Sequence, residues 1–373
     1  MKLLFWAAVA LIAYSYLGYA AWLWLRSRWR SRPVHTLPCT PSISLVLVVR
    51  NEAAVLRQKL TNLLELDYPP DRMEILVVSD GSTDATNEIL SEFAEVPRMR
   101  TLVNSQPRGK VPGLNHAMQA AGGDIVVFTD ARQQIEAGAV RLLMENFSDP
   151  EVGCVSGELM LGDPSSGETS GGLGLYWKIE KTIREMEART GSVIGATGAL
   201  YAVRRSLLES IPPETILDDV LIPMQVLRQG GRVVFDGRAQ AWDTPDLGTK
   251  REFARKVRTL SGNYQLLQLA PWLLTRQNPA RFDFVSHKLL RLAVPFALCA
   301  ALLASALLPQ PIYRIALAGQ VLFYGLSACA LLRLKHTLLA RMADAAFTFV
   351  LLNTAAVVAF ANFISGRKVA WGR

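Results

Sequence analysis

Apolar residues are concentrated in four long stretches, and a central region of mixed character separates the first from the other three. The stretches cover residues 3–25, 292–308, 315–332 and 345–364. A helix needs about 20 consecutive apolar residues to cross the hydrocarbon core of a bilayer, with some latitude. The pattern therefore predicts one membrane-spanning helix near the N-terminus and three near the C-terminus.

The first apolar stretch has no charged residue and is followed by Arg26, Arg28, Arg30 and Arg32. The apolar part of a cleaved signal peptide is shorter, which favours a retained anchor. Basic residues remain on the cytoplasmic side of a membrane, so we expect the central region to be cytoplasmic. Other basic residues agree with this orientation, namely Lys288, Arg291, Arg333, Lys335 and Arg341, whereas those in 367–373 oppose it. We expect a multi-pass protein of the inner (cytoplasmic) membrane.

The central region alternates short β-branched runs with segments of helical pattern. The runs at Ile43–Val49, 74–79, 99–103 and Ile125–Thr129 predict four buried strands. Helical patterns occupy 84–94, 114–121 and 137–147. This alternation predicts an α/β fold with a doubly wound, mostly parallel sheet. We expect four parts: an anchor (1–32), an α/β domain (33–248), amphipathic interfacial helices (249–288) and C-terminal membrane helices (289–373).

Polar side chains follow three of these strands at the point where each strand ends. Asn51 and Glu52 follow the first strand, Asp80 follows the second, and Asp130 follows the fourth. Each motif alone is also good turn or helix-capping chemistry. Sheets of this kind bind ligands beyond the carboxyl ends of their strands, so three such ends on one edge favour a binding site. No G-x-G-x-x-G or P-loop pattern is present, which argues against a nicotinamide or flavin enzyme.

Composition changes this picture little. The formal net charge is +8 and the pI is about 9.4. Much of the basic excess lies beside the apolar stretches, where it contacts anionic lipid, so we expect no nucleic acid partner. The four cysteines show no metal-ligand spacing.

The order and spacing of seven motifs resemble the family-2 inverting glycosyltransferases, in particular their membrane-embedded branch with poly-N-acetylglucosamine, hyaluronan and cellulose synthases. The motifs are VVRNEA (48–53), VVSDGSTD (77–84), GKVPGLNHAM (109–118), FTDAR (128–132), GATGALYAVRR (195–205), ILDDVLIPMQVLRQGGRVVF (216–235) and RKVRT (255–259). The resemblance implies a GT-A fold and an activated donor, usually a UDP-sugar.

The resemblance also implies a role for each matching residue. Asp80 would hold the uracil or ribose, in a pocket that Val49 and Glu52 also line. Lys110 would meet the nucleotide, as would the pair Arg255 and Arg258, for which lipid headgroup contacts are the alternative. Asp130 would reach Mg²⁺ or Mn²⁺ on the diphosphate. The acceptor sugar would lie beside a loop with Gly195, Thr197 and Gly198.

The chemistry of sugar transfer requires a proton acceptor as well as a stabilised leaving group. A carboxylate must take the proton of the acceptor hydroxyl, and positive charge must face the departing diphosphate. Asp218 and Asp219 open a helical segment, so one of them can simply cap it. We expect Asp219 to be the base, with a pKa raised by its neighbour Asp218.

Three motifs depart from the family pattern. D-x-D is Asp130-Ala131-Arg132, T-E-D is Leu217-Asp218-Asp219, and Q-x-x-R-W ends in Arg258-Thr259. We expect Arg132 either to point away or to place a positive charge near the diphosphate. Thr259 has no ring on which a sugar can stack, although Tyr264 or Trp272 can replace it. This favours transfer of one or a few sugars to a lipid-linked or membrane-proximal glycan acceptor over processive polysaccharide synthesis.

Two other classes of protein, and some features of the chain, stay open at this stage. A transporter or a non-catalytic sugar-binding membrane protein is a remote alternative. A homo-oligomer or a partner subunit can complete a pore for a polymer. The segment 162–172 is a lid or a linker, and the acidic residues of 176–187 are typical of a solvated helix face.

Overall fold

The computed structural model describes residues 1–162, 174–244, 249–332 and 338–367. Apart from Gly162, the segment 162–172 lies outside this description, as do Arg333 and Lys335 of the topology argument. One eight-stranded sheet forms the centre of the described α/β region. Its strands are β1 (Ile43–Val49), β2 (Met73–Asp80), β3 (Met99–Asn104), β4 (Ile125–Thr129), β5 (Gln134–Ile135), β6 (Val152–Leu161), β7 (Tyr201–Arg204) and β8 (Arg232–Asp243).

The strand order is β3-β2-β1-β4-β7-β6-β8-β5. The first four strands in this order are mutually parallel, and only β7 and β5 run against the others. This confirms the mostly parallel sheet. The four strands expected from the pattern are all present, whereas β5 to β8 were not anticipated.

Alternate residues of β1 enter two different hydrophobic cores, one on each face of the sheet. Leu45 and Leu47 belong to one core, and Val46 and Val48 to the other. Successive side chains of a strand point to opposite faces, so a strand covered on both sides is apolar throughout. This explains the unbroken apolar run.

Thirteen α-helices surround or extend from the sheet in the described residues. They are α1 (Lys2–Ala13), α2 (Tyr19–Trp29), α3 (Ala53–Leu64), α4 (Thr86–Glu92), α5 (Lys110–Ala120), α6 (Ala139–Glu145), α7 (Gly174–Thr190), α8 (Asp218–Arg228), α9 (Thr249–Leu269), α10 (Arg281–Phe284), α11 (Leu290–Leu307), α12 (Pro311–Cys329) and α13 (Leu338–Ile364). Continuous helical stretches at Lys2–Trp29, Arg281–Leu307, Pro311–Leu332 and Leu338–Ile364 are long and apolar enough to cross a membrane. They coincide with the four apolar stretches of the sequence.

The prediction that the acidic residues of α7 form a solvated face is wrong in part, because two of its glutamates are buried. Glu180 and Glu187 are 6% and 0% exposed. The imidazole of His287 lies between them, with Nε2 2.9 Å from Glu180 Oε1 and Nδ1 2.8 Å from Glu187 Oε1. Tyr19 donates a hydrogen bond to Glu187 at 2.7 Å. Buried charges need partners, and here the partners come from two of the candidate membrane spans.

Helix α9 packs against α13 and against the chain that leads into α8. The ring of Tyr264 stacks on Phe363 with a centroid distance of 5.3 Å. At Gly262 the approach is so close that a Cβ atom would lie 2.5 Å from Cγ of Leu217. Helix α9 is therefore held beside the Asp218–Asp219 pair.

Candidate active site

The turn after β1 is held in place by side chains of the turn after β2. Asn51 has a left-handed backbone (φ 55°), and its Oδ1 accepts a hydrogen bond from the Thr83 amide at 2.8 Å. Asp84 accepts from the amides of Ala53 and Thr86, at 3.1 and 3.0 Å, so one carboxylate serves the first turns of both α3 and α4. The two strand ends thus form one rigid edge.

Two of the expected nucleotide-pocket residues occupy this edge in different ways. Val49 ends β1 with its side chain buried in the core, so only its backbone faces the turn. Glu52 is partly exposed, and burial is the main cause of its raised pKa. The carboxylates of Asp130 and Asp84 add to this increase, while Arg132 opposes it. Glu52 therefore lies within electrostatic reach of the Asp130 turn.

Asp80 is completely buried at the end of β2. Its Oδ1 accepts a hydrogen bond from the Arg108 amide and its Oδ2 accepts one from the Gly109 amide, both at 2.8 Å. At Gly81 (φ +62°) a Cβ atom would lie 2.3 Å from the nitrogen of Pro107, so only glycine fits beneath this chain crossing. Asp80 thus fixes the segment that leads into α5, and its contact with a nucleotide stays a prediction.

Lys110 is the point at which three of the expected residues meet. Its Nζ lies 3.0 Å from Oδ1 of Asp130 and 3.1 Å from Oδ2 of Asp218. Burial lowers the pKa of this lysine, but the carboxylates of Asp130, Asp218 and Asp219 outweigh burial and raise it. The ammonium group is therefore charged, and it links the end of β4 to the start of α8.

Of the three carboxylates near Lys110, that of Asp219 is the one without a partner among the described residues. Within the described part of the chain its side chain has no hydrogen bond or ion pair, whereas Asp218 is paired with Lys110. Burial raises the pKa of Asp219 to about 6, and the charge of Asp218 adds to this effect. The expected influence of Asp218 is present, but burial contributes more.

The loop with Gly195, Thr197 and Gly198 passes directly over the carboxylates. A Cβ atom on Gly198 would lie 3.3 Å from Oδ2 of Asp130 and 3.6 Å from Oδ2 of Asp219. A Cβ atom on Gly195 would lie 3.2 Å from a methyl group of Val220. The Thr197 amide donates a hydrogen bond to Ser156 Oγ at 3.1 Å. Glycine at 198 thus leaves space between the two carboxylates.

Arg132 is held by a carboxylate that the sequence did not point to. Its Nη2 donates a hydrogen bond to Oδ2 of Asp243 at 2.9 Å, and Nε2 of Gln133 donates to the same oxygen at 2.9 Å. Asp243 ends β8 and is buried. Arg132 is thus paired with Asp243, and whether it also faces the diphosphate stays a prediction.

A second residue missed by sequence reasoning lies beneath the same turn. Lys59 of α3 is 0% exposed, and its Nζ donates hydrogen bonds to Thr129 Oγ1 at 2.9 Å and to the Gln133 carbonyl at 2.5 Å. Burial lowers its pKa to about 7, although Asp130 opposes this decrease. A lysine among the apolar positions 56, 60 and 63 of α3 was the signal that could have revealed it.

The two arginines of α9 occupy different surroundings. Arg255 pairs with Glu252 one turn earlier on the helix. Arg258 lines a cavity of about 780 Å³ that Lys110 and Asp218 also line. Arg258 therefore lines the same cavity as Lys110 and Asp218, whereas Arg255 is not part of that lining.

Part of the chain is similar to known proteins. Residues 44–211 match the family model described as Glycosyl transferase family 2. The chain is 28% identical over 258 residues to "Probable glycosyltransferase YdaM" of Bacillus subtilis (strain 168), covering 65% of this chain and 60% of that protein. It is 25% identical over 234 residues to "Poly-beta-1,6-N-acetyl-D-glucosamine synthase" of Staphylococcus aureus (strain COL), covering 60% of this chain and 55% of that protein. The chain thus spans less than two thirds of either relative.

A solved structure resembles almost the whole chain. The mannosyltransferase PcManGT from Pyrobaculum calidifontis, solved in complex with GDP-Man and Mn²⁺, superposes with a TM-score of 0.74. The superposition covers 98% of this chain and 99% of that chain at 23% identity, a level that shows the fold alone. Residues 44–211 are therefore similar to a glycosyl transferase family 2 domain, the fold is GT-A, and four helices of membrane-spanning length accompany it.

Proposed function

We propose that this glycosyltransferase moves a sugar from a UDP-sugar to an acceptor at the membrane, with inversion at the anomeric carbon. The observation that carries the proposal is the free carboxylate of Asp219, whose pKa is about 6, across Gly198 from Asp130. A base of this pKa is ionised at neutral pH and still accepts a proton readily.

In the proposed step, the acceptor hydroxyl attacks the anomeric carbon on the face opposite the diphosphate. A new carbon–oxygen bond forms, and the bond between the sugar and the diphosphate breaks. The electron pair of that bond leaves with UDP, and the hydroxyl proton passes to Asp219. Lys110, which lies between Asp130 and Asp218, is proposed to face the leaving diphosphate, where an ammonium group would stabilise the developing negative charge.

The donor pocket is proposed at the edge formed by the ends of β1 and β2, where Val49, Glu52 and Asp80 lie. UDP is the proposed nucleotide, following the resemblance to the polymer synthases. A GDP-sugar is the alternative, because the solved mannosyltransferase of similar fold was bound to GDP-Man.

Asp130 is the proposed ligand of Mg²⁺ or Mn²⁺. The described residues contain no group of three or more side chains arranged to hold a metal ion. Magnesium commonly binds one or two carboxylates and takes its remaining ligands from substrate phosphates and water. Asp130, at a strand end with 42% of its side chain exposed, fits that use. The ion would neutralise charge on the leaving diphosphate.

Limited transfer is proposed over polymer synthesis because neither replacement aromatic is available for stacking. Tyr264 is stacked on Phe363, and the guanidinium of Arg228 lies 4.6 Å above the ring of Trp272. Both rings therefore already have partners. The proposed acceptor is lipid-linked or membrane-proximal, and the GT-A domain is proposed to face the cytoplasm.

A panel of nucleotide sugars tests this proposal. The purified full chain in liposomes is given labelled UDP- and GDP-sugars with Mn²⁺ or excess chelator, and nucleotide release and labelled product are measured. We expect release from a UDP-sugar that needs the metal and is lost in Asp130→Asn. Activity in excess chelator would contradict the proposed metal dependence. Preference for a GDP-sugar would contradict UDP as the nucleotide, and a high-molecular-weight product would contradict limited transfer.

A further inference from the structure

A chain of buried hydrogen bonds runs from helix α3 through the Asp130 turn to the loop of residues 195–200. Thr129 ends β4, immediately before Asp130, and is 5% exposed. Its Oγ1 accepts a hydrogen bond from Nζ of Lys59 at 2.9 Å and donates one to the carbonyl of Ala199 at 2.8 Å. Three segments that are distant in sequence therefore meet at one hydroxyl group.

The lysine fixes the direction in which this hydroxyl points. An ammonium group only donates hydrogen bonds, so Oγ1 of Thr129 must accept from Lys59, and its own proton is left for Ala199. A charged donor also polarises the hydroxyl and strengthens the next hydrogen bond in the chain. Loss of the lysine should therefore weaken the bond between Thr129 and Ala199.

The position of Lys59 is costly for the fold. Its side chain is 0% exposed, and in the described part of the chain no carboxylate lies within 4.0 Å of its Nζ. Leucine occupies positions 56, 60 and 63 of the same helix, and an apolar residue at 59 would avoid the cost of burying an ammonium group. What the lysine alone supplies is its hydrogen bonds to Thr129 and to the Gln133 carbonyl.

The loop that this chain of hydrogen bonds reaches is attached to both sides of the candidate active site. At its start, the Ala196 amide donates a hydrogen bond to the carbonyl of Asp219 at 2.7 Å. At its end, Ala199 is bound to Thr129, next to Asp130. A Cβ atom on Gly198 would already lie 3.3 Å from Oδ2 of Asp130, so the gap between loop and carboxylate is small. The loop thus connects the Asp130 turn to the start of α8.

We propose that Lys59 and Thr129 are positioning residues that couple the Asp130 turn to the loop 195–200, so that a metal ion and nucleotide held at Asp130 also order this loop. Ligand binding that orders one part of a connected network restricts the motion of the rest. The assignment of the two ends as metal site and acceptor site rests on the proposed function, whereas the connection between them does not.

Exchange of backbone amide hydrogens measures this connection without any turnover. The full chain in phosphatidylcholine nanodiscs is compared with and without Mn²⁺ and UDP, and exchange in 195–200 is read by mass spectrometry. Thr129→Val keeps the shape of the side chain and removes the hydroxyl. Without ligand, we expect this variant to exchange about fivefold faster in 195–200 than the parent protein, as loss of one hydrogen bond predicts. Mn²⁺ with UDP should slow this exchange in the parent protein and not in Thr129→Val.

Two further variants and one control separate the hydroxyl from packing. Thr129→Ser keeps the hydroxyl and should behave like the parent protein. Lys59→Met should accelerate exchange in 195–200 as well, although the hydrogen bonds of this lysine go to Thr129 and Gln133. Thr61→Val makes the same chemical change at an exposed position of α3 and should leave the segment unchanged.

Four results would overturn the proposal. Unchanged exchange of 195–200 in Thr129→Val would show that the bond to Ala199 does not hold the loop. Acceleration in Thr129→Ser equal to that in Thr129→Val would assign the effect to the methyl group. Equal acceleration in β1 would mean a general loss of stability, and protection by Mn²⁺ and UDP that persists in Thr129→Val would mean direct contact of the ligand with the loop. Failure of UDP to bind the parent protein would instead contradict the proposed donor, and the ligand-free comparison would still decide the connection.

Discussion

Arg132 and Asp243 form an ion pair, with Nη2 and Oδ2 2.9 Å apart, that joins the turn after β4 to the end of β8. The sequence departs from the family pattern at Arg132, where a second carboxylate is usual. In the structure this side chain connects two strand ends, and one carboxylate, Asp130, remains in the turn.

Replacing either partner of this pair should have the same consequence. We expect Arg132→Gln and Asp243→Asn to reduce sugar transfer to similar extents. The double variant should be no worse than either single variant, because residues in contact are not additive. Initial rates and unfolding free energies of all four proteins measure this coupling. Loss of activity in Arg132→Gln alone, with Asp243→Asn fully active, would show that the arginine acts on the diphosphate instead.

Asp219→Asn should reduce transfer by about 10² or more, since general base catalysis contributes at least that factor. UDP affinity should change by only a few-fold, because the base does not hold the nucleotide. Asp218→Asn should cost less activity, since this residue neutralises Lys110. Steady-state rates and UDP binding on the same preparations measure both effects. A larger loss of activity in Asp218→Asn than in Asp219→Asn would show that Asp218 is the base.

The pH dependence of stability should also reveal Asp219. Its folded-state pKa of about 6 is above the ordinary value of 3.8, so the folded protein binds a proton more tightly than the unfolded chain. This contribution to stability is present below about pH 4 and is lost as the pH rises through 6. Asp219→Asn should therefore unfold at a higher temperature than the parent protein at pH 8, by up to about 3 kcal/mol in free energy. The same difference in unfolding free energy between Asp219→Asn and the parent protein at pH 8 and at pH 5 would contradict a raised pKa of Asp219.

Lys59→Met should impair catalysis although the side chain does not reach the cavity described above. Methionine keeps most of the volume but loses the hydrogen bonds to Thr129 and Gln133 that hold both ends of the Asp130 turn. We expect weaker Mn²⁺ binding, seen as a higher metal concentration at half-maximal rate, with little loss of stability. The matched control is Gln58→Met, an exposed position on the same helix. An unchanged Mn²⁺ concentration at half-maximal rate in Lys59→Met would show that this lysine has only a structural role.

His287→Gln should destabilise the junction between α7 and the membrane helices. Three carboxylates, two guanidinium groups and one imidazole meet there: Glu180, Glu187, Asp283, Arg26, Arg291 and His287. Removal of the imidazole leaves buried carboxylates without one of their partners, which costs about 3 kcal/mol or more. Thermal unfolding in detergent measures the loss, with the exposed Glu185→Gln as control. Equal stability of the two variants would mean that water reaches the cluster.

Local patterns in the sequence determined the parts of the structure that depend on near neighbours. The run Ile43–Val49 is apolar because both faces of β1 are covered, and the four spans need only length and hydropathy. The motif around Asp130 likewise marked a strand end before the fold was known. The acidic pair Asp218 and Asp219 was likewise visible in the sequence at the start of a helix, and the assignment of Asp219 as the base stays a prediction.

The tertiary structure alone decided which charges meet. Lys110 lies beside Asp218 across 108 residues of sequence, and Arg132 lies beside Asp243 across 111. Glu187 is buried because Tyr19 and His287 arrive from distant helices to pair with it. Hydrophobic periodicity reports only how a segment presents its own faces, and the free energy of a buried charge depends on the partner that the fold supplies.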